Sequence, residues 1–329
     1  MNQLLAILLG FGLASSTATQ LRVAGPLGPG EGLLVAWLGV VIFHRLLYAD
    51  TFSGPVWLSA RIVRIWMLFF GALSGGIIVA QWYGLSADAG GLRDFAALIF
   101  VAVLSIVLAS VKSKSEFWEL AVSSYLVLAT VALVGLLALA GARMAVLVDP
   151  WYQLIRFRGW SENPNQMALM LAAMPFLTIW SYARARTRFY KRFLLVSLAV
   201  TFIAGALCLS EALYLAWAAS FGFCGFLVAV KYYRKPERDP LGAIWKKFTL
   251  PTILVASITA IVLPFALRAM ELVGAIYEAG NQGATRLAVW THGIEAASRS
   301  PVLGLGPGAF SGISGPFQNY EAHNTFIDI

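Results

Sequence analysis

The sequence predicts an all-α fold, a polytopic transmembrane helical protein with about ten spans visible and a long loop before the last of them. Three observations carry that reading. Hydrophobic residues fill 59% of the 329 positions and charged residues only 12%. The mean hydropathy is +0.76, well above that of a soluble domain of this size. Apolar stretches approaching the ~20 residues that a bilayer crossing needs recur along almost the whole chain. Positions 1–329 therefore read as a single membrane domain with no soluble domain attached.

In order, the stretches run over 3–20, 31–49, 62–83, 92–111, 117–140, 164–183, 193–209, 211–233 and 248–270, and a tenth opens near His323. The first, MNQLLAILLGFGLASSTA, ends in small residues as a secretory signal does, but it lacks an early Lys or Arg and reads as an uncleaved span. In the third, Gly71 and Gly75 have the GxxxG spacing of helix packing. Cys208 and Cys224 both fall inside spans. That position points to core residues, and away from a disulfide framework or a zinc site.

Loop charge sets the orientation. With the N-terminus in the cytoplasm, the inner connections hold Arg45, Arg61, Arg64, Lys112, Lys114, the cluster from Arg184 to Arg192, and the group from Lys231 to Lys247, sixteen of the 24 basic residues. The outer side holds Arg22, Arg93, Arg143, Arg156, Arg158, Arg268, Arg286 and Arg299, which is the asymmetry of the positive-inside rule. The net charge of +8 is thereby a matter of topology, and nucleic acid is not implied. Every lysine falls inside and every outer basic residue is arginine. Arginine's planar fork holds phosphate bidentately, so an anionic ligand on the outer side is a reasonable expectation.

Two outer loops are long, about 141–163 and 271–322, and loops on a rigid scaffold carry function disproportionately. The second contains GATRLAVWTHGIEAASRS, a helix with an apolar side suited to lying on the membrane surface. Within it Arg286 precedes Trp290 by one turn, which suits either an interfacial anchor or an anion ligand. SPVLGLGPGAF follows, with Gly304, Gly306 and Gly308 around Pro307. This run makes a turn before membrane re-entry or a stretch of bare amides facing a phosphate or sugar, and its spacing is not that of a nucleotide-binding loop.

Of the three histidines, His44 sits at a span end beside Arg45 as a snorkelling or capping group, and His292 lies on the surface helix. His323, followed by Asn324, stands where the outer loop re-enters the bilayer. There a neutral imidazole either makes an interfacial hydrogen bond or takes the proton of an attacking hydroxyl. In the first loop, RFRGWSENPNQMA gives Asn163 as a helix cap with Pro164 in the first turn. Arg156 and Arg158 remain as candidates for an anion site. Glu211 opens a span after a very short connection, where it either complements the helix dipole or marks a site. No cluster has metal-ligand spacing and no triad order is present, so neither a metal nor a cofactor is expected.

TRLAVW, then GLGPGAF, then AHNTF entering a span, all in an outer loop after many spans, resemble the bacterial O-antigen ligase and O-antigen polymerase superfamily, and RGWSENPNQMA is similar to the segment that family carries upstream. The motifs cover roughly residues 150–329. The resemblance implies a glycosyltransferase that moves a glycan from an undecaprenyl pyrophosphate-linked donor to a hydroxyl of lipid A core, a growing glycan chain or protein. The transfer would take place on the periplasmic face of the bacterial inner membrane. It implies that Arg286 binds the pyrophosphate and that His323 activates or orients the acceptor hydroxyl.

Two departures accompany the resemblance. The family carries a Ser-Arg pair where this chain has Ser210 and Glu211, so Arg156 or Arg158 is expected to replace that arginine in space, or the donor differs, or the chain is a non-catalytic relative acting as a membrane scaffold or lipid-binding subunit. The family also continues through further spans after its His-Asn motif, so C-terminal spans beyond Ile329 are expected. A transporter is disfavoured, because no charged residue lies at mid-span depth in a pattern that suggests a path.

Overall fold

Within hydrocarbon every backbone N–H and C=O must find its partner inside the chain, which leaves an apolar stretch the α-helix as its solution. The structure is a computed structural model that describes residues 2–22, 28–47, 56–82, 89–110, 115–144, 148–152, 155–233, 291, 294, 295 and 298. Among the described residues the helices are α1 (Asn2–Ser15), α2 (Pro29–Leu47), α3 (Val56–Trp82), α4 (Ala89–Ala109), α5 (Ser115–Gly141), α6 (Pro164–Arg184), α7 (Arg188–Cys208) and α8 (Glu211–Tyr233). Among the described residues five stretches are long and apolar enough to cross a membrane: Pro29–Leu47, Trp57–Trp82, Ser115–Gly141, Pro164–Arg184 and Arg188–Cys208. Asn2–Ser15, Phe95–Ala109 and Ala212–Leu227 are shorter apolar helices.

These eight helices fall on the first eight expected spans. The expected ninth, the tenth and most of the 271–322 loop lie outside the described residues. Thr291, Ile294, Glu295 and Ser298 are helical, in keeping with the helix read in that loop. α3 begins six residues earlier than expected. Its Arg61 guanidinium lies 5.3 Å from the Trp57 ring centroid, an arrangement that holds a cation at the end of an apolar helix.

Contacts divide the chain into two units, Met1–Val40 with Lys114–Glu271 and Val41–Ser113 with Leu272–Ile329. In the first, the core is built from α1, α5, α6, α7 and α8, where Leu126, Leu133, Met167, Leu171, Met174 and Leu194 are fully buried. α1 meets α5 at Gly10, where an added Cβ would stand 2.8 Å from the Tyr125 backbone nitrogen, 2.9 Å from Ser124 Cβ and closer still to the Ala121 carbonyl. Small residues permit such backbone approach between membrane helices. A buried hydroxyl pair, Thr130 Oγ1 donating to Ser197 Oγ at 2.8 Å, joins α5 to α7. Bonds of this kind average about 0.6 kcal/mol in membrane proteins. Thr130→Val is therefore expected to leave the fold intact and lower its stability by about that amount, read from chemical denaturation in mild detergent.

Helices α6 and α7 form an antiparallel pair of one-sided charge. No acidic residue occurs between Glu162 and Glu211, and the cations Arg184, Arg186, Arg188, Lys191 and Arg192 all gather at the turn between the two helices. There Arg184 lies 4.2 Å from the Trp180 ring centroid and 3.6 Å from the Glu119 carboxylate, and Lys191 lies 5.5 Å from the Tyr182 centroid.

In the second unit α3 packs on α4 through an aromatic ladder. Phe70 meets Phe95 edge-on at 5.5 Å, and the Trp66 indole donates to Ser105 Oγ at 2.8 Å. Arg45 Nη2 donates to Ser110 Oγ at 2.5 Å, so the cation at the end of α2 is held rather than free.

Three expectations need correction. Among the described residues nothing lies within 4 Å of a Cβ added at Gly71, so the GxxxG spacing of α3 does not mark a face packed on them at that glycine. Cys208 is buried as expected, but Cys224 is on an exposed face of α8. His44 is buried, so of the two readings given for it snorkelling falls and capping is untouched.

Candidate functional site

The outer loop 141–163 contains a small antiparallel hairpin. Strand β1 (Trp151–Tyr152) pairs with β2 (Arg156–Phe157) in the register Trp151 with Phe157 and Tyr152 with Arg156. Successive side chains of a strand point to opposite faces. Phe157 enters the core with no exposed surface, which turns Arg156 the other way, half-buried. Trp151 stacks edge-on against Phe157 at 6.3 Å, and its indole donates to the Ala140 carbonyl at the end of α5 at 3.1 Å. After β2 the chain turns at Gly159, with φ +57°, the left-handed region that glycine enters without a Cβ penalty. An added Cβ there would also strike the Met167 methyl.

Arg156 reaches the connection between α7 and α8. Its Nε donates to the Cys208 carbonyl at 3.1 Å, and its Nη2 donates to the Leu209 carbonyl and to Asn165 Oδ1, each at 3.2 Å. These carbonyls are the unsatisfied acceptors at the negative end of α7. Leu209 is itself left-handed, with φ 50° and ψ 44°, an unfavourable state for a non-glycine residue. Arg156 stabilises that turn through both carbonyls. Ser210 follows, its carbonyl accepting from Leu213 N at 3.1 Å and Tyr214 N at 3.2 Å, and α8 starts at Glu211. Among the described residues no carboxylate pairs with Arg156 and no acceptor meets its Nη1.

Arg158 is held differently. Its Nε donates to the Asp149 carbonyl at 3.0 Å and its Nη1 to the Glu162 carbonyl at 3.3 Å, while Nη2 stands 3.5 Å from the Asp149 carboxylate. Its guanidinium also lies 5.9 Å from the Tyr152 ring centroid. The charge of Arg158 is thus compensated, and among the described residues that of Arg156 meets no carboxylate. Asn163 caps α6 as expected, with Oδ1 accepting from Asn165 N at 2.8 Å and Pro164 in the first turn.

The end of α1 grips this loop, a relation that sequence reading missed. The Gln20 side-chain amide donates to the carbonyls of Asp149 at 3.2 Å, Gly159 at 2.9 Å and Ser161 at 2.8 Å. The Trp160 indole donates to Thr17 Oγ1, Ser161 Oγ donates to the Thr17 carbonyl at 2.8 Å, and Glu162 N donates to Thr19 Oγ1 at 2.8 Å. The polar run STATQ was the one available signal, since a cluster of hydroxyls and an amide after an apolar helix needs partners.

Of the sequence candidates, Arg156 and Arg158 are brought together on one hairpin, and the backbone of Glu211 begins the helix two residues after Leu209. The Glu211 side chain, Arg286, Gly306, His323 and Asn324 lie outside the described residues. Residues 202–329 match the family model described as O-antigen ligase. No curated protein and no solved structure matches the chain.

Proposed function

We propose, from its membership of the O-antigen ligase and polymerase superfamily, supported by the match over residues 202–329, that this membrane protein transfers a glycan from an undecaprenyl pyrophosphate-linked donor to an acceptor hydroxyl at the periplasmic face of the inner membrane. The acceptor oxygen attacks the anomeric carbon of the donor sugar and the bond from that carbon to the phosphate oxygen breaks. Undecaprenyl pyrophosphate leaves with the electron pair. In this reading His323 takes the hydroxyl proton, and Arg286 with Arg156 stabilises the charge developing on the leaving group, a role for which arginine is suited without a metal.

The single observation that carries the reading is the position of Arg156. The family's Ser-Arg pair falls on Ser210 and Glu211, and the Arg156 guanidinium bonds the carbonyls of the two residues just before that pair. A forked cation whose Nη1 meets no acceptor among the described residues therefore stands beside the place where the family carries its own. Arg158, paired with Asp149, is the supporting group.

The test is transfer by the purified protein from an undecaprenyl pyrophosphate-linked glycan to lipid A core, glycan and peptide acceptors, with release of the carrier followed in parallel. Absence of both transfer and carrier binding across all donors would leave the scaffold reading in its place. Arg156→Lys keeps the charge and loses the fork. We expect it to lower transfer about 10- to 100-fold, the loss of one or two hydrogen bonds to a charged group, and, because the fork also holds the Cys208 and Leu209 carbonyls, to lower the melting temperature as well.

A further inference from the structure

We infer that Gln20, which follows α1 and lies outside both the matched segment and every motif of the sequence, is a positioning residue that sets the two hairpin arginines for the donor's pyrophosphate. The inference rests on the pyrophosphate reading above. The side-chain amide has two protons and three acceptors, Asp149, Gly159 and Ser161, at 3.2, 2.9 and 2.8 Å. Asp149 precedes β1, whereas Gly159 and Ser161 follow β2, so one side chain ties both legs of the hairpin together at their base. A hairpin with two residues in each strand has little stability of its own.

The coupling to the arginines is direct. The Asp149 carbonyl that receives Gln20 also receives Arg158 Nε at 3.0 Å, so the two donors share one acceptor. Gly159 is the residue next to Arg158, and its own N–H donates with that of Arg158 to the Pro150 carbonyl. Arg156 sits on the strand between these tied ends and spans to the turn after α7. Meanwhile the apolar side of the loop is held independently, by the buried Phe157 and Trp160. Gln20 therefore governs where the polar face of the hairpin stands, while packing governs whether the loop folds. An amide that touches main-chain carbonyls on either side of the arginines directs them through the backbone.

The experiment uses the full chain in nanodiscs and undecaprenyl pyrophosphate, without glycan, as the probe. Gln20→Met keeps the length of the side chain and removes both donors, and Gln20→Glu removes them as well and sets a carboxylate against the same three carbonyls. Both variants are expected to bind the carrier about tenfold more weakly, the scale of one lost hydrogen bond to a charged group. Their melting temperatures should match wild type, and amide hydrogen exchange should be faster over 150–162 and unchanged in α5 and α6. In an Arg156→Ala/Arg158→Ala background, Gln20→Met should cause no further loss of binding. Wild-type affinity in both variants, or losses that add in the arginine-free background, overturns the inference and leaves the proposed function standing. A wild-type protein that does not bind the carrier overturns the pyrophosphate reading itself, and the role of Gln20 falls with it.

Discussion

Replacing His323 with alanine is expected to lower glycan transfer by about 10²- to 10⁴-fold, the usual contribution of a positioned general base, and to leave carrier binding close to wild type. The expectation follows from a division of labour. In the proposed mechanism arginines hold the leaving group, and a guanidinium offers donors but no acceptor for a proton. The proton of the acceptor hydroxyl needs a different group, one that is neutral before reaction and basic enough to receive it. Histidine is the side chain whose ordinary pKa, near 6.5, satisfies both conditions. The measurement is the initial rate of transfer with saturating donor, alongside binding of undecaprenyl pyrophosphate. A His323→Ala protein that transfers at the wild-type rate removes the base from the mechanism. One that also loses carrier binding assigns His323 to the pyrophosphate instead.

The largest expected effect on stability lies at Gly10. An added methyl there would enter α5's own backbone, against the Ala121 carbonyl and the Tyr125 nitrogen, and neither can turn aside as a flexible side chain would. The helices must separate, and the contacts along their whole interface weaken together, because dispersion falls off within an ångström of the optimum. Overpacking of a tight core costs about 1 to 3 kcal/mol and at times more, so Gly10→Ala is expected near the top of that range and Gly10→Val beyond it. Gly71→Ala is the control. Among the described residues nothing stands within 4 Å of the added carbon there, and alanine's better helix propensity should give a neutral or slightly stabilising result, up to about 1 kcal/mol. Thermal unfolding in detergent, followed by loss of monodisperse protein, separates the two. Equal melting temperatures for the Gly10 and Gly71 variants would mean that α1 does not approach α5 so closely.

The two glycines also show what a sequence can and cannot disclose about this fold. Helix existence was legible because the physical demand is local: about twenty apolar residues in a row have one structure available to them in hydrocarbon. The cap at Asn163 and Pro164 was legible for the same reason, as donor and acceptor are two residues apart. Which glycine packs was not, since spacing within one helix says nothing of the helix it faces. Nor was the hairpin, whose strands of two residues are too short to establish an alternating pattern. For the candidate site, the arginines could be named from the sequence, but their difference could not. Arg156 finds its carbonyl partners 52 and 53 residues away, and Gln20 finds its acceptors 129 to 141 residues away. At such separations only the assembled chain decides that Arg158 pairs with Asp149 while Arg156, among the described residues, meets no carboxylate.

The acid-free pair of helices α6 and α7 has an electrical consequence. Moving one elementary charge through a membrane potential changes its energy by about 2.3 kcal/mol per 100 mV. The five cations at the turn would therefore add on the order of 12 kcal/mol per 100 mV to any passage of that turn to the positive side. No carboxylate within the pair offsets the work. In a membrane whose inner face is negative, that work would hold the turn on the inner side. The hairpin and its arginines lie at the opposite ends of those helices, so the same work would favour placing them on the outer side.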